Sequence, residues 1–346
     1  MKKRFLALAL TGMLCAGMLA GCGGSSSSAP AESTPAAAAE GSSSDAPAGD
    51  SVHHIAVVVK LTDGHFNKVI AGAKAYADEH DNVEVEILSP TSATAYDEQQ
   101  NMIETCLGST GNDAVIISPL QSSTATTLVK GTEKVIVALD TNFDAPEKSA
   151  FVGTGNKDAA KSGGAAAMEK AKAAGIEAPK AVILTGVQGD ETHDARLEGY
   201  KEAVEEAGGE VLDVQYCDGI ADKASVAMEA IIQKYPEGVD LVLSTNDDMV
   251  MAAAKMVKDS GSAAFANTIL CGFDGNQSAI EAIKDGTIGM DVAQLGYDMG
   301  YKVVEAAVTV LEGGTVEEFI DSGSTVVADD NIDSYIEDMT AKGLWE

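Results

Sequence analysis

Ile55-Ala-Val-Val-Val-Lys-Leu-Thr-Asp-Gly-His-Phe66 runs from five apolar residues into a short polar turn. The run Ile55–Val59 is continuous and rich in Val and Ile, as a parallel strand covered on both faces should be. Past the turn, Phe66, Val69, Ile70, Ala73 and Ala77 keep the three- and four-residue spacing of an amphipathic helix. Further strand-like runs lie at Val83–Leu88, Ala114–Ile117, Val135–Leu139, Ala181–Leu184, Val211–Val214, Leu241–Leu243 and Ile269–Cys271. Gly300, Val304, Ala307, Val308 and Leu311 give another helical face. Strand starts near 55, 83, 113 and 134 are followed by starts near 180, 210, 239 and 268, so a βα rhythm occurs twice, in halves of similar size. The expected fold is α/β, with two doubly wound, Rossmann-like parallel sheets. In such sheets ligands sit beyond the carboxyl ends of the strands.

Those carboxyl ends are polar here. Lys60-Leu61-Thr62-Asp63 follows the first strand and Asp140-Thr141 the fourth. In the second half come Tyr216-Cys217-Asp218, Thr245-Asn246-Asp247 and Phe273-Asp274. Any one of these is explained as a helix cap or turn former. A polyhydroxylated ligand in one cleft explains the set.

The chain has 346 residues, with 23 Lys+Arg against 54 Asp+Glu and a formal net charge of −31. That length corresponds to about two domains, each able to bury its own core. Such an acid excess excludes a nucleic-acid binder, which needs a basic footprint. It also argues against docking on anionic lipid by charge. With 45 % hydrophobic residues in regular patterns, the chain as a whole is not disordered. Five cysteines in this length do not make a disulfide scaffold.

The first fifty residues are unlike the rest. Lys2, Lys3 and Arg4 precede an apolar run from Phe5 to Ala20, which reads as an export signal. The run ends in Leu19-Ala20-Gly21-Cys22, which resembles a bacterial lipobox. The resemblance implies cleavage before Cys22 and diacylation of its thiol. From Gly23 to Asp50, 23 of 28 residues are Ser, Ala, Gly or Pro, a flexible tether by composition. Its r.m.s. reach would be about 30 Å. Residues 1–21 would thus be a lipoprotein signal peptide, and 22–50 the lipidated cysteine and its tether.

From Ile55 to about residue 340 the sequence resembles the type I periplasmic solute-binding proteins of ABC importers, closest to their ribose-binding branch. The opening Ile55–Phe66 resembles the family's first strand and aromatic-bearing helix start, and Val135-Ile-Val-Ala-Leu-Asp140 its strand ending in a sugar-binding aspartate. Phe151-Val-Gly-Thr-Gly-Asn156 resembles the crossing into the second lobe. Asp194-Ala-Arg196-Leu-Glu-Gly-Tyr200, Asn246-Asp-Asp-Met249, Gly272-Phe-Asp274-Gly and Ala293-Gln294-Leu follow in the family's order. The lipobox and tether match the lipoprotein form usual in Gram-positive bacteria.

The resemblance implies that Asp140, Arg196, Asn246, Asp274 and Gln294 hydrogen-bond sugar hydroxyls and that Phe66 covers an apolar face of the sugar. The chemistry suits those types, because each hydroxyl both donates and accepts, and charge-assisted bonds are the stronger ones. Local readings compete. Arg196 could pair at the surface with Glu198, Glu202 or Glu205, Gln294 could simply start a helix, and Phe66 could belong to the core. The chain also departs from its family. Thr141 stands where an arginine is usual, Lys60 where a small polar residue is common and Asn67 where a second aromatic is common. An aromatic is missing at Cys217–Ile220, although Tyr216 is close, and Gln121–Lys134 is short for the family's third helix. Lys60 either suits a ligand carboxylate or phosphate, or replaces the charge lost at Thr141.

By resemblance the chain crosses between lobes near Gly155, Gln294 and Gly323. That gives an N-terminal lobe of 51–155 plus 295–323 and a C-terminal lobe of 156–294 plus 324–346, joined by hinge strands. The implied function is a membrane-anchored extracytoplasmic protein that captures a small sugar or polyol and delivers it to an ABC permease and its ATPase. The alternative is a receptor, for a sugar or quorum signal, feeding a sensor kinase. A monomer is expected, with no nucleic-acid partner and no cofactor. No metal site is expected, because His53, His54, His65, His80 and His193 show no ligand spacing. No catalytic residue is assigned and an enzyme is not expected, since neither Gly-x-Ser-x-Gly nor a phosphate loop occurs. With Cys15 removed and Cys22 lipidated, Cys106, Cys217 and Cys271 remain, and no structural disulfide is expected.

Overall fold

The computed structural model describes residues 52–345 except 63 and 93. The signal, Cys22 and the tether lie outside the described residues, as does Asp63.

The first half gives β1 (His53–Val58), α1 (Gly64–Glu79), β2 (Val83–Leu88), α2 (Tyr96–Gly108), β3 (Ala114–Ile117), α3 (Ser122–Leu128), β4 (Val135–Leu139) and β5 (Lys148–Gly153). The second half gives α4 (Asn156–Ala173), β6 (Lys180–Thr185), α5 (Glu191–Glu206), β7 (Glu210–Tyr216), α6 (Ala221–Lys234), β8 (Leu241–Ser244), α7 (Asp247–Ser260), β9 (Ile269–Asp274) and α8 (Gln277–Lys284). Then come β10 (Met290–Gln294), α9 (Gly296–Leu311), β11 (Phe319–Asp321), β12 (Ser324–Val327) and α10 (Ile332–Ala341).

These strands form two sheets of like order, β11-β5-β4-β3-β1-β2 and β12-β10-β9-β8-β6-β7. All neighbours are parallel except β10 and β12. The central strands of both sheets are covered on both faces, which explains their unbroken apolar runs. In β1, Ile55 and Val57 join the cluster under α1 and α9, while Ala56 and Val58 join the one under α2 and α3. In β6, Ala181 and Ile183 face α4 and α5, while Val182 and Leu184 face α6, α7 and α8. A fully buried Val or Ile contributes about 1.5–3 kcal/mol relative to exposure, so β1 alone anchors both layers.

The chain passes between the sheets three times. It leaves the first sheet after β5, returns after β10 so that α9 packs beside α1, and crosses again between the edge strands β11 and β12. The α1–α9 contact is backbone against backbone. A Cβ at Gly300 would stand 1.8 Å from the Val69 carbonyl oxygen, so any other residue would force the helices apart.

Four strands were not legible as apolar runs. β5 opens on Lys148-Ser149, β11 is three residues with Phe319 exposed, β12 is a short antiparallel edge, and β10 carries a fully buried Asp291 in mid-strand. The segment after Gln121 forms a helix of only seven residues, α3. Cys106, Cys217 and Cys271 are each buried and unpaired. Among the described residues no helix is long and apolar enough to cross a membrane.

Candidate functional site

In each sheet the chain steps outward to one side (β1 to β2, β6 to β7) and then to the other (β3, β8). A crevice opens at such a reversal, beyond the carboxyl ends of the strands. The candidate residues stand at these two crevices.

In the N-terminal lobe Asp140 follows β4 with φ of 60°, a left-handed conformation unusual for a residue with a side chain. Its carboxylate lies 3.5 Å from Lys60 Nζ and 3.0 Å from His65 Nε2, and it accepts a 3.0 Å hydrogen bond from Thr141 Oγ1. Lys60 Nζ in turn donates to Thr141 Oγ1. Burial alone would raise the Asp140 pKa, but Lys60, His65 and Arg196 together hold it well below the usual carboxylate range. Lys60 thus stands on Asp140 and Thr141, at the place where the arginine is missing. The imidazole presented to the carboxylate belongs to His65. Phe66 is buried in the core between β1, α1 and α9, its ring edge-on to His65 at 5.2 Å, and Asn67 faces solvent.

In the C-terminal lobe Asp274 ends β9 with φ of 129°. Arg196, only 5 % exposed, reaches it from α5 through Nη1 at 3.1 Å. The guanidinium also donates to Asn156 Oδ1 (2.8 Å) and the Thr245 carbonyl (2.9 Å), and it stacks 3.8 Å from the centroid of the Phe273 ring. Arg196 is therefore no surface ion-pair residue. Lys157 takes Glu198 and Glu202 instead. Burial raises the Asp274 pKa, against the pull of Arg196, His65 and the Gln294 amide.

Gln294 does not merely start a helix. Its Nε2 donates to Asp274 at 2.7 Å, while its Oε1 accepts from Thr154 Oγ1 at 2.9 Å. Thr154 Oγ1 also lies 3.4 Å from Ser322 Oγ. Residues from all three crossings are thus bonded together, and through Gln294 to Asp274. Asn246 acts as the N-cap of α7. Its Oδ1 accepts from the Met249 amide and its Nδ2 donates to the Gly219 carbonyl, both at 3.0 Å. Tyr216 ends β7 half-exposed.

Lys60, Asp140, Arg196, Asp274 and Gln294 therefore form one cluster across both lobes, with Asp140 feeling Arg196 and Asp274 feeling His65 and Asp140. Asn246 stands at its margin and Phe66 behind it. Beside the cluster lies a cleft of about 700 Å³ lined by Lys60, Thr141, Asn142, Asn156, Asp190 and Phe319, among others. Sequence reasoning missed His65, Asn156 and Thr154, which position other residues. His65 adjoined the assigned Phe66, but nothing in the spacing marked it.

Lys68 makes a further direct bond between lobes behind this cluster. From α1, 7 % exposed, its Nζ donates to the Gly275 carbonyl and to Tyr335 OH at 3.3 Å. Burial pushes the Lys68 pKa below its ordinary value. The Gly275 amide donates to Asp291 Oδ1 (2.8 Å) and the Asn276 amide to Asp247 Oδ2 (2.7 Å). The other oxygens of these two acids are buried without a partner, and both crowd Gly272, where a Cβ would stand 2.2 Å from Asp291 Oδ2 and 2.6 Å from Asp247 Oδ1. Burial and the neighbouring Asp291 push Asp247 well above the usual carboxylate range. A single proton on Asp247 would satisfy both oxygens. Among the described residues no group of three or more His, Cys, Asp or Glu could hold a metal ion.

Comparison with known proteins bears on this geometry. Residues 55–315 match the family described as "Periplasmic binding protein domain". The D-ribose/D-allose-binding protein of Pseudomonas aeruginosa is 27 % identical over 274 residues, covering 76 % of this chain and 83 % of that protein. The ribose import binding protein of Bacillus subtilis is 30 % identical over 213 residues, 61 % of this chain and 67 % of that one. Among solved structures, an ABC transporter periplasmic solute-binding protein of Actinobacillus succinogenes with bound D-allose superposes with a TM-score of 0.72. It is 21 % identical, with 82 % of this chain and 100 % of that one covered.

Proposed function

This chain belongs to the periplasmic binding protein family, a family of binding proteins and not of enzymes, and from that premise we propose that it captures a small sugar or polyol between its lobes. The observation that carries the proposal is the pair of partly buried carboxylates, Asp140 and Asp274, 14 % and 19 % exposed. One comes from each lobe, each beside a cation, each at a strand end in unusual backbone. Carboxylates with adjoining guanidinium and amide donors match a row of hydroxyls, which must each give and receive a hydrogen bond. The ribose- and allose-binding relatives support the ligand class.

Binding works through closure, the hinge motion of periplasmic binding proteins as a class. A ligand favours the closed form only by its greater affinity for that form. Bonds to Asp140 from one side and to Arg196, Asp274 and Gln294 from the other supply the difference. Gln294 and Thr154 connect the crossings to Asp274, so the bend and the bound hydroxyl share hydrogen-bond partners. Asn246 and Phe66 would complete the site at its rim and floor.

The closed form would be recognised by an ABC permease and its ATPase. The protein would be held at the extracytoplasmic face of the membrane by a lipid on Cys22, with 22–50 as the tether. A thermal-shift screen of protein lacking residues 1–22 against pentoses, hexoses, polyols and sugar acids tests the ligand class. A rise in melting temperature with a sugar or polyol, lost in Asp274→Ala, is the expected result. Stabilisation that persists in Asp274→Ala sinks the site assignment. Fatty-acid labelling that survives Cys22→Ala sinks the anchor.

A further inference from the structure

His193 places one more ring near the cluster of charged residues, one position after Thr192 of the cleft lining. It stands in the first turn of α5, three positions before Arg196, with its amide donating to the helix cap Asp190 at 3.0 Å. Its ring lies flat against Gly186, where a Cβ would come within 2.2 Å of a ring carbon. The ring orientation is therefore fixed by a residue that only glycine can fill.

A chain of hydroxyls bears on which ring nitrogen carries the hydrogen. Thr185 Oγ1 donates to the His193 carbonyl at 3.5 Å, and Thr245 Oγ1 donates to Thr185 Oγ1 at 3.4 Å. Each hydroxyl has one hydrogen to give, and these two long bonds would use both. The 2.8 Å contact between His193 Nδ1 and Thr245 Oγ1 fits either tautomer, and we take the one in which Nδ1 donates, which leaves both threonine hydroxyls on their oxygen partners. Burial and the nearby Arg196 push the imidazole pKa down to about 4, so at neutral pH the ring carries a single N–H. In that tautomer Nε2 is a bare acceptor. It has no hydrogen-bond partner among the described residues and lies beside Gly219 and Asn246 Nδ2, 3.6 Å and 3.4 Å from where a Gly219 Cβ would be. Lys60, on the opposite lobe, acts on the ring electrostatically.

We propose that His193 Nε2 is a fixed acceptor for one hydroxyl of the bound sugar or polyol, and that it makes the site reject a carboxylate or phosphate at that position. The inference rests on the sugar-binding reading and sharpens it. A hydroxyl gives Nε2 the hydrogen it lacks. An anionic oxygen would meet a lone pair, and Lys60, the cation opposite, is already engaged by Asp140 and Thr141.

The test is calorimetric titration of the wild-type protein, His193→Phe and His193→Asn with D-ribose, D-allose and myo-inositol. The monodeoxy analogues of whichever binds and the matching sugar acid complete the set. The expected result is an affinity loss of about 10–100-fold in His193→Phe for the parent sugar, but under about threefold for one deoxy analogue. The acid should bind the wild type far more weakly than the sugar. Should His193→Phe not fold, His193→Asn carries the same comparison. Wild-type binding of a sugar with equal losses for every deoxy analogue, with no loss at all, or with tighter binding of the acid overturns the role of His193 and leaves the sugar reading standing. Wild-type silence toward the whole panel sinks both.

Discussion

The two faces of the cleft solve the same problem differently. Asp140 and Asp274 occupy matching places at the ends of β4 and β9, both at positive φ and both beside a cation. On the N-terminal face the cation is Lys60, a quarter exposed, on a flexible stem. On the C-terminal face it is Arg196, buried and fixed by Asn156, the Thr245 carbonyl, Asp274 and the Phe273 ring at once. The surroundings also push the two carboxyls in opposite directions, Asp140 down and Asp274 up. One face is therefore preorganised before any ligand arrives, while the other is adjustable. A rigid guanidinium fork loses less freedom per hydrogen bond than a lysine, so the C-terminal face should set geometry and the N-terminal face should supply the bonds that form on closure.

Substitutions can break that contrast. Arg196→Met strips Asp274 of its buried partner and should reduce unfolding stability in urea by about 3–5 kcal/mol. Lys60→Met, at a partly exposed pair, should change it by less than about 1 kcal/mol, and equal effects of the two would erase the distinction. Asp140→Asn comes next, at about 1.5–3 kcal/mol near neutral pH for the lost charge-assisted bonds. Because the folded pKa of Asp140 lies below the unfolded one, its contribution is present above the usual carboxylate value and disappears as pH falls through the folded value. The gap between parent and variant should therefore shrink in acid; a gap constant with pH contradicts the ion pairing.

Asp247 has the opposite sign. Its folded pKa is raised, so between the usual carboxylate value and that raised value the folded protein binds more protons, and stability falls as pH rises. Asp247→Asn can donate to Asp291 without a titrating proton. It should flatten that slope and gain about 1–2 kcal/mol near pH 8, and an unchanged slope would show that no proton is shared. Lys68→Met should also change stability little, by about 1 kcal/mol or less, since burying an ammonium offsets much of what its bonds return. Its signature is in shape. Small-angle scattering of the ligand-free variant should show a larger radius of gyration than the parent, and identical curves would mean that Lys68 does not hold the lobes together.

How much of this was legible followed burial. Six strands could be read because both of their faces are covered and every residue of the run is apolar, while the edge strands β2 and β7 were read through Glu84, Glu86 and Asp213 from their remaining Val, Ile and Leu. Asp291 hid β10, because it puts a carboxyl where hydropathy expects none. Asp140 and Asp274 were legible as polar ends on apolar strands, and Arg196, inside α5, only through the family resemblance. His65 and His193 were not, since a lone imidazole has no spacing partner, and only the Gly186 wall and the Thr185–Thr245 relay give His193 a direction. For Lys60 the sequence could not give its contact with Asp140 and Thr141, which only the fold brings together.

The last crossing has a further consequence for how the molecule comes into being. The first sheet is not finished until Phe319–Asp321 is added at its edge, and the second not until Ser324–Val327 pairs with β10. Neither lobe can close its sheet during most of synthesis, however early its other strands emerge, although domains otherwise tend to fold as their residues appear. A nascent chain built this way stays short of its native state until its final segment is made, and any machinery that must handle it unfolded has almost the whole of translation in which to do so.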